Sequence, residues 1–354
     1  MFERRHTKRV GKAVRLSILI VFLGLIIMVL VVFKLYSRVF MPNVELDTDH
    51  VIFYVSDHTD LDELAGRLQS EAGLIDRKSF EWVAGKKGFG DKLSKGRYKI
   101  RDGISNNELV NMLRSGRQDP VMVVFNNVRN MELLAAKVSR YLEVDSASFA
   151  DYLLDQKTPA VYGFSRENFY AMFIPNTYEF FWTDTPQTFC ERMHREYERF
   201  WKGDRDKKAE KIGMSRTEVV TLASIVDEET MFDEENRRVA GLYMNRIAKG
   251  IPLQADPTLK FAMGDFTLKR ILNEDKHIES PYNTYKYKGL PPGPIVIPSV
   301  SAVDAVLDYE KHRYLFMCAK ADFSGRHAFA KTLAQHNRNA SAYQRALNKK
   351  RIYR

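Results

Sequence analysis

Residues 217–230 read TEVVTLASIVDEET. The run holds no glycine or proline, and Thr217 stands where an N-cap belongs, so it predicts a helix. Projected at about 100° per residue, Leu222, Ile225, Val226 and Glu229 share one face. Asp227 and Glu228 fall off that stripe, towards solvent or the helix flank. The three consecutive acids are therefore not equivalent, and only Glu229 continues the apolar face. Burial penalises the charged form of a carboxyl and raises its pKa, which a general acid needs near neutral pH. The competing reading is an acid at a helix end paired with Arg237 or Arg238. On spacing alone the ion pair is the commoner arrangement.

Downstream, a second helix is expected over Asp233–Lys249, with Val239, Ala240, Tyr243, Met244 and Ile247 inward and Gly250 stopping it. A polar turn follows, Gln254-Ala255-Asp256-Pro257-Thr258, in which Asp256 is expected to cap a helix or fix the turn. Then come SPYNTY (280–285) and GLPPGPI (289–295). Stiff segments carrying Tyr, Asn, Gln and Thr suit a saccharide cleft, since aromatic faces stack on sugars and amides bond their hydroxyl and N-acetyl groups. A rigid loop with no ligand is the commoner use of a Pro-Pro-Gly turn.

Upstream, residues 130–215 look mainly helical around an aromatic break at Phe173–Phe180, with Lys202–Lys211 read as a polar linker. Nearer the front, VIFYV (51–55) and Gly96–Ile100 read as strands. Helices are expected from Leu61, with Thr59 and Asp60 as candidate caps, over Lys78–Lys86, and from Ser105 to Gly116. Pro120 precedes a further strand, Val121–Phe125. This alternation describes a small α+β module without a catalytic constellation.

The first 15 residues carry a net charge of +5, and the uncharged run LSILIVFLGLIIMVLVVF (16–33) follows. Its eighteen uncharged residues reach the lower limit for spanning a bilayer, and the basic flank places the N-terminus in the cytoplasm. KLYSRVFMPN lacks a small-x-small cleavage site, so the run is read as a retained anchor rather than a signal peptide or a core helix. The whole chain of 354 residues has a net charge of +10, but residues 331–354 alone hold +7. The body over 16–330 is thus close to neutral, which argues against nucleic-acid binding. The basic C-terminus reads as a solvated helix end, with contact to anionic lipid or wall polymer as its functional alternative. A composition of 45% hydrophobic and 28% charged residues excludes a wholly disordered or polytopic chain. Cys190 and Cys318 are too few for a disulfide scaffold or a zinc site and are read as thiols, with a disulfide between them left open. No H-E-x-x-H or G-x-S-x-G motif occurs, so no metal, cofactor or serine nucleophile is expected.

ASIVDEET, QADPT, SPYNTY, GLPPGPI, His327-x-Phe329 and His336-Asn337 stand in this order behind the anchor. The combination resembles the membrane-anchored endolytic murein transglycosylases, the MltG or YceG-like family, over about residues 171–340. The resemblance implies an α+β chain: a cytoplasmic tail (1–15), a transmembrane anchor (16–35), a linker (36–48), a LysM-like module (49–125), a mainly helical catalytic domain with short strands around a glycan cleft (126–345) and a basic tail (346–354). It implies a single-pass protein of the cytoplasmic membrane whose catalytic domain lies outside the cytoplasm. Its partners would be peptidoglycan strands, the lipid bilayer and neighbouring synthases or division proteins. The second acid of the family's E-x-E-T motif falls on Glu229, which would act as acid and then base on the MurNAc–GlcNAc bond, leaving 1,6-anhydromuramyl ends and limiting glycan length. Gln254, Tyr282, Asn283 and Tyr285 are the candidates for holding the sugar. The alternative is an anchored wall-binding or division scaffold without catalysis.

Overall fold

A computed structural model describes residues 3–57, 59–89, 93–268 and 271–350. The chain divides into two compact units, one of residues 1–121 with 181–183 and one of 122–180 with 184–354.

The first unit begins with the long helix α1 (Glu3–Phe40). Its stretch Val14–Phe40 is long and apolar enough to cross a membrane: its most apolar 18-residue window has a mean hydropathy of 3.3, and none of that window is buried. A core helix would be covered, so that alternative fails. The segment 36–48 is not a linker: α1 runs through Phe40, and Asn43 and Val44 are already buried in the module. The Asn43 side chain donates to Asn106 Oδ1 at 2.8 Å and accepts from the Asp76 amide at 2.8 Å. These bonds satisfy a buried amide and fix the chain where it leaves α1.

β1 (His50–Val55), α2 (Leu61–Glu71), α3 (Arg77–Lys86), β2 (Gly96–Arg101) and α4 (Asn106–Ser115) complete this unit. β1 and β2 are antiparallel, with Phe53 opposite Tyr98. Alternation puts Tyr98 and Ile100 inward on β2, against Phe53, Leu64, Leu68, Phe80 and Leu113. Asp60 caps α2, and Ser105 with Glu108 forms a reciprocal capping box on α4, which ends at the left-handed Gly116.

The second unit opens inside β3 (Val121–Phe125), at Met122, so the division falls ahead of the expected boundary at 125/126. Next come α5 (Met131–Val138), α6 (Ser146–Leu154), α7 (Thr158–Val161) and β4 (Asn176–Phe180), and β4 pairs with β3. α8 (Pro186–Trp201) carries Phe189 into a cluster with Phe125, Phe149, Phe173 and Phe180. The stretch read as a polar linker is instead α9 (Asp204–Ile212), which follows Gly203 and buries Ala209. Its polarity misled because the helix is held by charges: Arg205 pairs with Asp304, and Asp206 with Arg216.

α10 (Arg216–Glu229) forms because Ser215, not Thr217, caps it: Ser215 Oγ accepts from the Glu218 amide while Glu218 reaches back to the Ser215 amide. Val219 to Val226 are all buried, against α11 (Asp233–Ala248) and α13 (Val300–Leu307) among others. α12 (Asp256–Met263) precedes α13, and the antiparallel hairpin of β5 (Phe316–Ala319) and β6 (His327–Ala330) packs against α14 (Leu333–Lys349). Arg338, Arg345 and Lys349 of the basic C-terminus thus belong to α14.

GLPPGPI does not line a cleft with Glu229. Gly293 to Ile297 are buried, and the Ile295 amide donates to Ser224 Oγ of α10 at 3.0 Å. Ile297 bridges Val128. The segment is a strap that locks α10 in place, the rigid-loop use of such a turn.

Candidate active site

Glu229 is the last residue of α10, and Thr230 turns into extended backbone directly after it. A groove of about 380 Å³ opens there, lined by Glu229, Tyr243, Arg246, Gln254, Tyr285 and His336 among others. The Tyr243 hydroxyl donates to Glu229 Oε1 at 2.7 Å. Among the described residues no ion pair reaches Glu229. The arginines considered as partners are used elsewhere: Arg237 donates to Asp308 O, and Arg238 pairs with Glu310. Burial pushes the Glu229 carboxyl up to about 7, while the Tyr243 hydrogen bond pulls the other way and Asp256 adds a smaller upward push. Its place at a helix C-terminus, where the backbone carbonyls leave partial negative charge, also favours the neutral acid. Burial, reinforced by Glu229, holds the Tyr243 hydroxyl well above its ordinary range, so it remains a donor.

The two neighbouring acids behave differently. Asp227 is half-buried at the helix flank, where it accepts from Ser299 Oγ at 2.6 Å and from Asn127 Nδ2 at 2.8 Å. Glu228 lies 3.8 Å from Arg129. Both belong to the packing of α10 rather than to the groove.

Gln254 enters the groove in a left-handed conformation, with φ of 54°. Its amide N–H donates to Thr284 O at 3.0 Å, and its Oε1 accepts from Arg246 Nη2 at 2.5 Å. That bond assigns oxygen to the Arg246 side and leaves the NH₂ as Gln254's free donor. Arg246 is a buried cation with no ion pair among the described residues. Two further donors go to Pro252 O at 2.8 Å and Leu315 O at 2.6 Å.

Tyr285 lines the same groove, and its hydroxyl donates to Asp256 Oδ1 at 2.5 Å. Asp256 therefore makes no cap; α12 starts without a side-chain capping bond. Asn283 and Tyr282 are not in the groove. Asn283 is fully buried, donating to Lys276 O and Ile278 O at 2.9 Å each and accepting from the Tyr285 amide at 3.0 Å. It shapes the loop that presents Tyr285. Tyr282 packs on Phe261, with ring centroids 4.6 Å apart, and lines a separate cavity of about 510 Å³ with Arg129, Arg166 and Tyr170.

Sequence reading missed Arg246 and took Tyr243 for a core residue only. The available signal was an arginine three residues after Tyr243, on the same inward helix face. It also missed Glu235, which is buried and accepts from the His327 ring at 3.0 Å and from the His327 amide at 3.2 Å, tying α11 to β6. Cys190 is a buried free thiol; Cys318, also free, lines the groove.

Among curated proteins, the chain is 39% identical over 132 residues to the endolytic murein transglycosylase of Bacillus subtilis (strain 168), matching 37% of this chain and 36% of that protein. It is 32% identical over 130 residues to the endolytic murein transglycosylase of Streptococcus pneumoniae (strain D39), matching 36% of this chain and 23% of that protein. The matches thus span roughly a third or less of these relatives' lengths. A 2.6 Å crystal structure of a YceG-like protein from Listeria monocytogenes shares the fold, with a TM-score of 0.55 and 23% identity, covering 82% of this chain and 98% of that one. The model of the YceG-like family matches residues 53–342, nearly the whole of the chain after α1, and the chain therefore belongs to the YceG-like family.

Proposed function

We propose that the chain is a peptidoglycan lytic transglycosylase, anchored by α1 and cutting the MurNAc–GlcNAc bond with Glu229 as its acid and base. The observation that carries this reading is the Glu229 carboxyl: in a groove, bound by one neutral donor, in no ion pair among the described residues and poised near neutrality. Protonated Glu229 gives its proton to the glycosidic oxygen as the C1–O bond breaks and positive charge develops at C1. The muramyl C6 hydroxyl attacks C1, and ionised Glu229 takes that hydroxyl's proton. The ring closes to a 1,6-anhydro end and Glu229 returns to its neutral form. Because the nucleophile belongs to the substrate, proximity is built in and a second carboxylate is not required. Asp227 and Glu228 have other partners, in keeping with a single acid. Gln254 and Tyr285 hold the sugar at the groove.

The first unit, in this reading, is a LysM-like positioning module beyond the membrane. Cleavage of strands near their site of synthesis would limit glycan length. Digested sacculi should yield 1,6-anhydromuramyl ends by mass spectrometry; only reducing ends would mean hydrolysis and reject the mechanism. A C-terminal alkaline phosphatase fusion should be active and a C-terminal green fluorescent protein fusion dark, and the reverse pattern would overturn the topology.

The pH profile gives a further test. The acid must be protonated in the free enzyme, so kcat/KM should fall about tenfold per pH unit above a midpoint near 7. Tyr243→Phe removes the bond that favours ionised Glu229, so this limb should move to higher pH. A limb that stays in place would show that Tyr243 does not tune the acid.

A further inference from the structure

The His336 ring lines the groove beside Glu229 and has no part in the mechanism above. It stacks on Phe316, with centroids 5.5 Å apart and planes at 29°. Its Nδ1 is sealed from solvent and has no hydrogen-bond partner among the described residues. A buried N–H without an acceptor is rare, whereas a bare acceptor is better tolerated. The proton of the neutral ring therefore resides on Nε2, the nitrogen left to the groove. Protonating Nδ1 as well would bury a second, unpaired N–H. Burial and then the nearby Arg246 guanidinium both lower the His336 pKa, which works in the same direction. The other titratable groups that the hairpin under α14 brings to this groove are Cys318 and His327.

His336 is thus a donor that cannot accept, and the free NH₂ of Gln254 is a second such donor. Sugar hydroxyls both donate and accept and match such groups without selectivity. The acetamido carbonyl is a strong pure acceptor that every sugar of a murein strand carries. A deacetylated amine is the opposite, a cationic donor, and here it would meet two donors close to the buried Arg246.

Building on the lytic transglycosylase reading, we infer that His336 is a specificity-determining residue that donates through Nε2 to the acetamido carbonyl of the sugar in this groove, so that N-deacetylated strands are excluded.

The test uses the full chain in detergent with N-acetylated and chemically N-deacetylated glycan strands. The wild type should lose about 30-fold or more in kcat/KM on deacetylated strands, because a mismatched site leaves its donors unpaired. His336→Phe should lower kcat/KM on acetylated strands about tenfold and shrink the discrimination to within about threefold, whereas His336→Gln, which keeps a donor near Nε2, should retain most of it. Discrimination unchanged in His336→Phe would reduce the residue to a packing role and overturn the inference. So would ¹⁵N NMR showing the Nδ1–H tautomer. The binding arm uses the Glu229→Gln protein, which should prefer acetylated strands through His336 even without cleavage. Preference retained there with no anhydro product from the wild type would sink the transglycosylase reading while leaving the assignment of His336 standing.

Discussion

Glu229→Gln is expected to abolish strand cleavage, with a loss of about 10³-fold or more, at the upper range of what a positioned acid–base group supplies. Glu228→Gln should retain most of the activity, because Glu228 faces Arg129 rather than the groove. Equal losses would show that the acids act as a cluster and refute the assignment. A stability measurement guards against mere unfolding. Glu229 has a native pKa of about 7 against an ordinary 4.5, so between these values the native state binds more protons than the unfolded one. Stability then falls as pH rises through that window, and above it the fold carries an unfavourable buried charge. Gln keeps the shape, an acceptor for Tyr243 and no charge. The variant should gain about 1–3 kcal/mol over wild type at pH 8 and little at pH 4. An inactive variant with a higher Tm at pH 8 would show that the group giving activity is one the fold tolerates at a cost.

Gly293→Ala is expected to be the most damaging single-methyl change in the second unit. A Cβ there would stand 1.9 Å from Glu167 O, 2.4 Å from its carbonyl carbon and 3.0 Å from the Asn168 amide nitrogen. All three are backbone atoms, so no side chain can rotate away and the strap itself must move. The cost should be about 3 kcal/mol or more, a Tm decrease of roughly 6–12 °C for a unit of this size. Activity should fall with it, because the displaced strap carries the Ile295 amide that holds Ser224 on α10. Pro292→Ala, at an exposed neighbour, is the control and should change Tm little. An unchanged Tm in Gly293→Ala would show that the close approach is relieved cheaply.

Legibility from sequence followed the range of the interactions. The strands of the first unit, Asp60 and Ser105 as caps, and the face shared by Leu222, Ile225, Val226 and Glu229 are local patterns, and the structure has them within a residue or so. Two elements resisted reading for opposite reasons. α9 lacks an apolar stripe because ion pairs hold it, and GLPPGPI looks like a ligand loop because its burial depends on residues far away in sequence. In SPYNTY only Tyr285 reaches the groove; Tyr282 and Asn283, three and two residues away, turn elsewhere, which no spacing rule for an irregular turn could tell. The tie between Arg246 and Gln254 depends on a left-handed residue that is not glycine, and composition gives no sign of it.

α1 enters the module without a hinge. The Arg38 carbonyl near its end accepts from Asn106 at 2.9 Å, and Asn43 is clamped five residues later. A flexible tether would let the module wander over a hemisphere. This joint works instead like a bracket: with α1 set in a bilayer, as proposed, tilting the helix would tilt the module with it, and lipid thickness would become a variable that sets the module's standing above the membrane.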